Sequence, residues 1–212
     1  MYDGRVRRVV QLVLSCAALG VGVALLLDAR LGSDGYSMMI NGLSLAGDVE
    51  FLLVNVVVGV ALVAMAWVRG RKPGLGTITQ PVVVGAVVSA LLPVLPTPES
   101  WTARSVEFAL AFVVLAIGVA GYLAADLGAG PTEVAALAWD PPVPFRWSYT
   151  VVQVVGALIG WLCGATFGIG TFVVVLGLGW CVDRLIPLFP ATLPTRNCPS
   201  PLDVSDGEGR FH

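Results

Sequence analysis

The sequence predicts an all-α polytopic membrane protein: six transmembrane helices built as two inverted-topology three-helix repeats, with a short half-helix after the first and fourth spans. Three observations carry that reading. First, the 212 residues are 57% hydrophobic and 12% charged, with a mean hydropathy of +0.86; a soluble domain carries about 25% charged residues. Second, the apolar residues gather into runs close to the roughly 20 residues that cross a bilayer. Third, glycine, proline and tryptophan positions recur in register halfway along the chain.

The spans lie near 9–27, 51–68, 77–95, 106–125, 149–166 and 169–189. The first follows Arg5, Arg7 and Arg8; its apolar run outlasts a signal-peptide core and no A-x-A site follows, so it reads as a retained helix. Val13-Leu14-Ser15-Cys16 loosely resembles a lipoprotein cleavage box, but the apolar stretch continues well beyond it. Charged, Pro and Gly segments separate later spans: Arg69-Gly70-Arg71-Lys72-Pro73, Pro96-Thr97-Pro98-Glu99 and Asp140-Pro141-Pro142. Segments 32–46 and 128–139 are Gly-rich and too short to cross, and read as half-helices or interfacial helices. The chain then divides into a cytoplasmic N-terminus (1–8), repeat 1 (9–97), repeat 2 (98–190) and a tail (191–212). Pro194, Pro199, Pro201 and a Ser-Asp-Gly-Glu-Gly run make that tail read as disordered and cytoplasmic.

The duplication shows in the register. Gly22, Leu31 and Gly32 recur 96 residues later as Gly118, Leu127 and Gly128. Trp67, Gly70, Gly74, Gly76, Thr77, Gly85, Pro93 and Pro96 recur 94 residues later as Trp161, Gly164, Gly168, Gly170, Thr171, Gly179, Pro187 and Pro190. Three spans per copy, an odd number, set the second copy upside down relative to the first. Charge agrees with a cytoplasmic N-terminus: Arg5, Arg7, Arg8, Arg69, Arg71, Lys72, Arg146, Arg184, Arg196 and Arg210 then fall inside, and only Arg30 and Arg104 outside. The loop Arg69–Lys72 corresponds to the uncharged Cys163-Gly164-Ala165-Thr166, as equivalent loops on opposite faces should.

Asp126-Leu127-Gly128-Ala129-Gly130-Pro131-Thr132-Glu133, with the paired Gly74-Leu75-Gly76-Thr77 and Gly168-Ile169-Gly170-Thr171, resembles the YczE/YitT family of bacterial membrane proteins over roughly residues 10 to 190. The first copy departs from the pattern, with Arg30 before Leu-Gly and Gly35 where the second has Pro131. The resemblance implies a multi-pass bacterial inner-membrane protein, some of whose relatives are regarded as transporters or exporters.

Broken helices at matching positions of two repeats point to a transport site, offering N-terminal dipole ends to an anionic group. The candidate substrate site therefore comprises Gly32, Gly35, Asn55, Gly128, Pro131, Thr132, Glu133, Tyr149 and Gln153. Asn55 and Tyr149 occupy equivalent repeat positions, while Asp126 and Glu133 fall near the cytoplasmic end, where solvation is the competing reading. Asn55, Gln80, Tyr149, Thr150 and Gln153 are the few polar residues inside spans, so helix–helix bonding competes with a site for each of them. Gly74, Gly76, Thr77, Gly168, Gly170 and Thr171 form a structural repeat motif in which the threonine caps the following helix; without a suitably placed lysine it is no phosphate loop. Gly156, Gly160, Gly164 and Gly168 form a small-residue packing seam.

Other classes lose ground. The one histidine is the terminal His212, so the chain is not expected to be an enzyme; Cys16, Cys163, Cys181 and Cys198 show no metal-ligand or disulfide spacing, and no metal or cofactor is called for. A net charge of −2 without a basic stripe gives no support to a nucleic-acid partner, and none is expected. The expected function is a small-molecule transporter, an exporter by preference, working around a midplane site. The alternative is a non-transporting factor that scaffolds or regulates other proteins through the Arg69–Lys72 loop and the tail. A passive channel would show more polar residues along one helix face. The expected partners are the lipid bilayer and a small-molecule substrate, with homo-oligomers compatible with the pattern. Both termini are expected in the cytoplasm.

Overall fold

The computed structural model describes residues 2–139, 142–143 and 145–189, so the predicted disordered tail lies outside the described residues. Every regular element among them is helical: α1 (Tyr2–Ala29), α2 (Gly35–Gly47), α3 (Phe51–Val68), α4 (Leu75–Leu91), α5 (Trp101–Ala124), α6 (Pro131–Leu137), α7 (Phe145–Leu162) and α8 (Ile169–Leu185), then a 3-10 turn at Ile186–Leu188. Arg5–Ala29, Phe51–Val68 and Trp101–Ala124 are long and apolar enough to cross a membrane. Leu75–Leu91, Trp147–Leu162 and Ile169–Val182 are shorter apolar helices. Outward positions on long and short helices alike carry exposed large apolar side chains, among them Leu14, Leu53, Val60, Leu110, Leu158 and Leu176. Apolar surface on that scale marks a membrane or protein contact surface rather than one bathed in water.

Local chemistry sets the ends. Asp34 caps α2 by accepting the Ser37 N–H at 3.0 Å, and Ser100 caps α5 by accepting that of Ala103 at 3.2 Å. Pro131 occupies the first turn of α6, where its missing N–H costs nothing. The helix predicted to run to residue 95 stops at Leu91, because Pro93 has no N–H to donate to the preceding turn. α3 and α7 end alike. Gly70 (φ +85°) and Gly164 (φ +95°) take the left-handed conformation, and the N–H groups of Arg71 and Ala165 reach back to the carbonyls of Ala66 and Gly160 at 3.0 and 2.8 Å.

The packing is reciprocal. α1 and α5 cross so closely that a Cβ on Gly22 would stand 2.7 Å from the Leu115 nitrogen, and one on Gly118 2.6 Å from that of Leu19. Positions 19 and 115 are related by the same 96-residue offset as Gly22 and Gly118. The Gly76 N–H donates to the Leu127 carbonyl at 2.9 Å, and the Gly170 N–H to that of Leu31 at 2.8 Å. Each half-helix packs on the other half's second long helix, α2 on α7 and α6 on α3. One asymmetry breaks the pattern: α3 packs along α4, whereas α7 and α8 stand apart over an apolar groove of about 520 Å³.

Candidate functional site

The N-terminal ends of α2 and α6 converge on a cavity of about 50 Å³, lined also by residues of α1, α3, α4, α5, α7 and α8. Four polar side chains form a chain of bonds on its wall. The Tyr36 hydroxyl donates to Asn55 Oδ1 at 2.8 Å, and Asn55 Nδ2 donates to the Pro81 carbonyl at 2.8 Å. Gln153 Oε1 accepts the Tyr36 N–H at 3.1 Å, while its Nε2 donates to the Tyr149 hydroxyl at 2.8 Å. This network ties α2, α3, α4 and α7 together, so the wall is held by bonds as well as packing.

Two other lining groups are left open. Gln80 Oε1 and the Tyr122 hydroxyl are buried without a hydrogen-bond partner, although Tyr122 is only 1% exposed and lies in the field of Glu133. An unpartnered buried polar atom costs on the order of 1–3 kcal/mol, so such atoms at a cavity wall are places for water or ligand. The charge there has one sign. Asp34 and Glu133 line the cavity, and among the described residues no lysine or arginine does. The Asp34 carboxylate accepts from the Ser37 N–H and, at 3.2 Å, from the Ser33 hydroxyl; that of Glu133 accepts from Thr132 Oγ1 at 2.9 Å. The positive ends of both half-helices are thus occupied by the protein's own carboxylates. Among the described residues no cation stands here to receive the anionic ligand expected from the helix dipoles.

Of the candidate residues, Asn55, Thr132, Glu133, Tyr149 and Gln153 line the cavity. The half-buried Glu133 belongs to this wall and not to a solvated loop. Gly35 sits against the Gln153 backbone, and the buried Pro131 packs near Gly59. Gly32 (φ +107°) and Gly128 (φ +120°) form turns that meet Thr171 and Gly74, away from the cavity. The repeat motif clamps those turns: Gly74 and Gly76 lie against residues 127 and 128, and Gly168 and Gly170 against Leu31. Thr77 is not the cap residue. It stands three positions further on and still caps α4 as read, since its hydroxyl accepts the N–H of the cap residue Gly74 at 3.1 Å, and it donates to the Ala129 carbonyl at 2.6 Å, bridging to the other half. Thr171 instead donates to the Met38 sulfur at 3.4 Å. In the glycine seam, Gly156 and Gly160 admit the α2 backbone, whereas Gly164 makes a turn with open space around it.

Asp34, Tyr36 and Tyr122 line the cavity without having been singled out in the sequence. Asp34 had a usable signal, since an Asp three residues before a Ser at a helix start is an N-cap pattern. Tyr122 had none, because an aromatic residue in an apolar run reads equally well as packing, and nothing in Ser33-Asp34-Gly35-Tyr36-Ser37 marks a partner for Tyr36.

A model of a family of unknown function (DUF6198) matches residues 6–187. An uncharacterized protein of Haemophilus influenzae is 22% identical over 198 residues, covering 92% of this chain and 89% of that protein. The uncharacterized membrane protein YczE of Bacillus subtilis is 24% identical over 136 residues, 63% of each chain. No solved structure matches.

Proposed function

The chain belongs to the family of unknown function DUF6198, a YczE-like family of membrane proteins, and we propose that it is a small-molecule transporter of the bacterial inner membrane. In this reading six helices cross the bilayer as two inverted three-helix repeats, both termini are cytoplasmic, and substrate sits where the two half-helices meet. The observation that supports it most is the central cavity, with Gln80 Oε1 and the Tyr122 hydroxyl unpartnered on its wall. At 1.5 Å per residue, the 17 residues of α4 or α8 reach about 26 Å. Local thinning of the bilayer accommodates that length.

The reciprocal bonds Gly76–Leu127 and Gly170–Leu31 act as two seals, one toward each face. Alternating access opens one while the other holds, in the export direction that the family resemblance implies. The competing interaction factor would use the loop Arg69–Lys72, which is exposed but partly held by internal contacts, and the tail, which lies outside the described residues. The Arg69 guanidinium lies 3.7 Å from the Trp139 ring centroid, and Arg71 Nε donates to the Leu137 carbonyl at 3.1 Å.

The test is a thermal-shift screen of purified protein against metabolites, since a ligand selective for the folded state raises apparent stability. A stabilising compound should then undergo counterflow in proteoliposomes, and Tyr122→Phe should weaken it. A compound that binds at the cavity but never crosses overturns the transporter reading.

A further inference from the structure

The central cavity and the groove between α7 and α8 share one residue. Gln153 lines both, and its amide belongs to the cavity network. The compartments differ in kind. The cavity holds about 50 Å³ and carries Asp34, Glu133 and the unpartnered oxygens of Gln80 and Tyr122. The groove holds about 520 Å³ and is lined almost wholly by apolar side chains, including Val154, Leu158, Trp161, Phe172 and Leu176. In the other half the corresponding helices α3 and α4 pack together, so the opening belongs to one half alone.

We propose that cavity and groove form one bipartite site for an amphipathic cation: a primary ammonium head between Asp34 and Glu133, and an apolar body in the groove. The inference rests on the transporter reading and names its substrate class. Size sets the division. The cavity's volume of about 50 Å³ is a few times the roughly 10–15 Å³ that admits one water, so it takes an ammonium head with its nearest carbon but no long apolar body. Chemistry sets the head. The wall presents two carboxylates, an amide oxygen and a phenol oxygen, and an ammonium group brings three N–H donors to them. Tyr122 adds a further observation beside the acids, because its hydroxyl, next to Glu133 in the wall of this space, is nearly fully buried and makes no hydrogen bond within 3.5 Å. The groove opens between two helices with lipid-facing sides, so the body enters laterally and displaces an acyl chain.

The experiment measures saturable binding of radiolabelled octylammonium to the full chain in phosphatidylcholine nanodiscs, above empty nanodiscs. Octanoate and octanol test the head, and methylammonium tests the body. Octylammonium should bind, octanoate should not, and octanol and methylammonium should bind about tenfold or more weakly. The double variant Asp34→Asn/Glu133→Gln keeps the hydrogen-bond acceptors of both side chains and should lose about tenfold or more of octylammonium affinity. Leu176→Trp, at a position 78% exposed and so tolerant of bulk, should weaken octylammonium and spare methylammonium. Glu99→Gln, outside the cavity, should change neither. Equal binding of octanol or octanoate, or unchanged affinity in the double variant with a native melting curve, overturns the cation head. Unchanged octylammonium affinity in Leu176→Trp overturns the groove as its seat. Binding without counterflow upholds the site and overturns transport. Counterflow of a non-basic solute that survives the double variant overturns the site and leaves transport standing.

Discussion

Gly128 and Gly32 hold φ near +120° and +107°, and the residues two places before them, Asp126 and Arg30, are also left-handed at +51° and +54°. Asp adopts that conformation more readily than Arg, which gives a backbone reason for an acid before Leu-Gly in the second copy. A Cβ on Gly128 would stand 2.8 Å from Gly74 Cα, so strain and collision add there. Gly156 is no fair comparison, since its Cβ would lie 2.6 Å from the Gly35 carbonyl oxygen. Gly179, exposed on α8 with nothing within 4 Å, is the better control. Gly128→Ala should therefore destabilise the protein by about 2–4 kcal/mol, while Gly179→Ala should leave it unchanged or up to about 1 kcal/mol more stable. Denaturation in one detergent compares them, and equal losses would remove the special role of the Gly128 turn. Asn55 was legible because an amide inside an apolar span needs partners; that it joins Tyr36 to Pro81 was not, because sequence spacing does not say which helices cross. Its two bonds also make replacement by leucine more costly than the loss of a single interhelical bond, about 0.6 kcal/mol on average.

At the level of elements, glycine and proline register marked the breaks and hydropathy marked the runs. The spans predicted to end at residues 95 and 166 end instead at Leu91 and Leu162, because the apolar run continues past the point where Pro93 or Gly164 stops the backbone. Hydropathy reports solvent preference and not hydrogen-bond geometry, so it overshoots there. The two glycine caps provide a controlled pair. Gly70 and Gly164 share positive φ and six-to-one backbone closure, and neither has atoms within 4 Å of where a Cβ would go. Replacing either with alanine introduces backbone strain without collision. Each variant should lose about 1–2 kcal/mol, and the double variant the sum, because the turns end different helices. Denaturant titration of the four proteins checks this; a marked deficit from additivity would mean that the two turns communicate.

Across the whole molecule, the reciprocal contacts of α1 with α5 and of each Leu-Gly turn with the opposite Gly-x-Gly-Thr segment join two halves through equivalent atoms. The recurring glycine and proline register was visible in the sequence, but the exchange of partners between halves was not, since matching positions specify which residues correspond and not which ones touch. The same limit hid the parting of α7 from α8. Inversion makes a prediction that the three shorter helices put at risk. If all six cross, the turn after α3 and its counterpart after α7 face opposite sides of the bilayer. Cys163 already stands beside the second turn, and Lys72, exposed, beside the first. With the other cysteines replaced, a membrane-impermeant thiol reagent on intact cells should label Cys163. It should leave Lys72→Cys in a Cys163→Ser background shielded until the membrane is permeabilised. Labelling of both from outside, or of neither, would place the two turns on one face and require that an odd number of the intervening apolar helices fail to cross. Labelling of Lys72→Cys with Cys163 shielded would preserve the inversion and reverse the orientation, contradicting the arginine distribution that assigns the N-terminus to the cytoplasm.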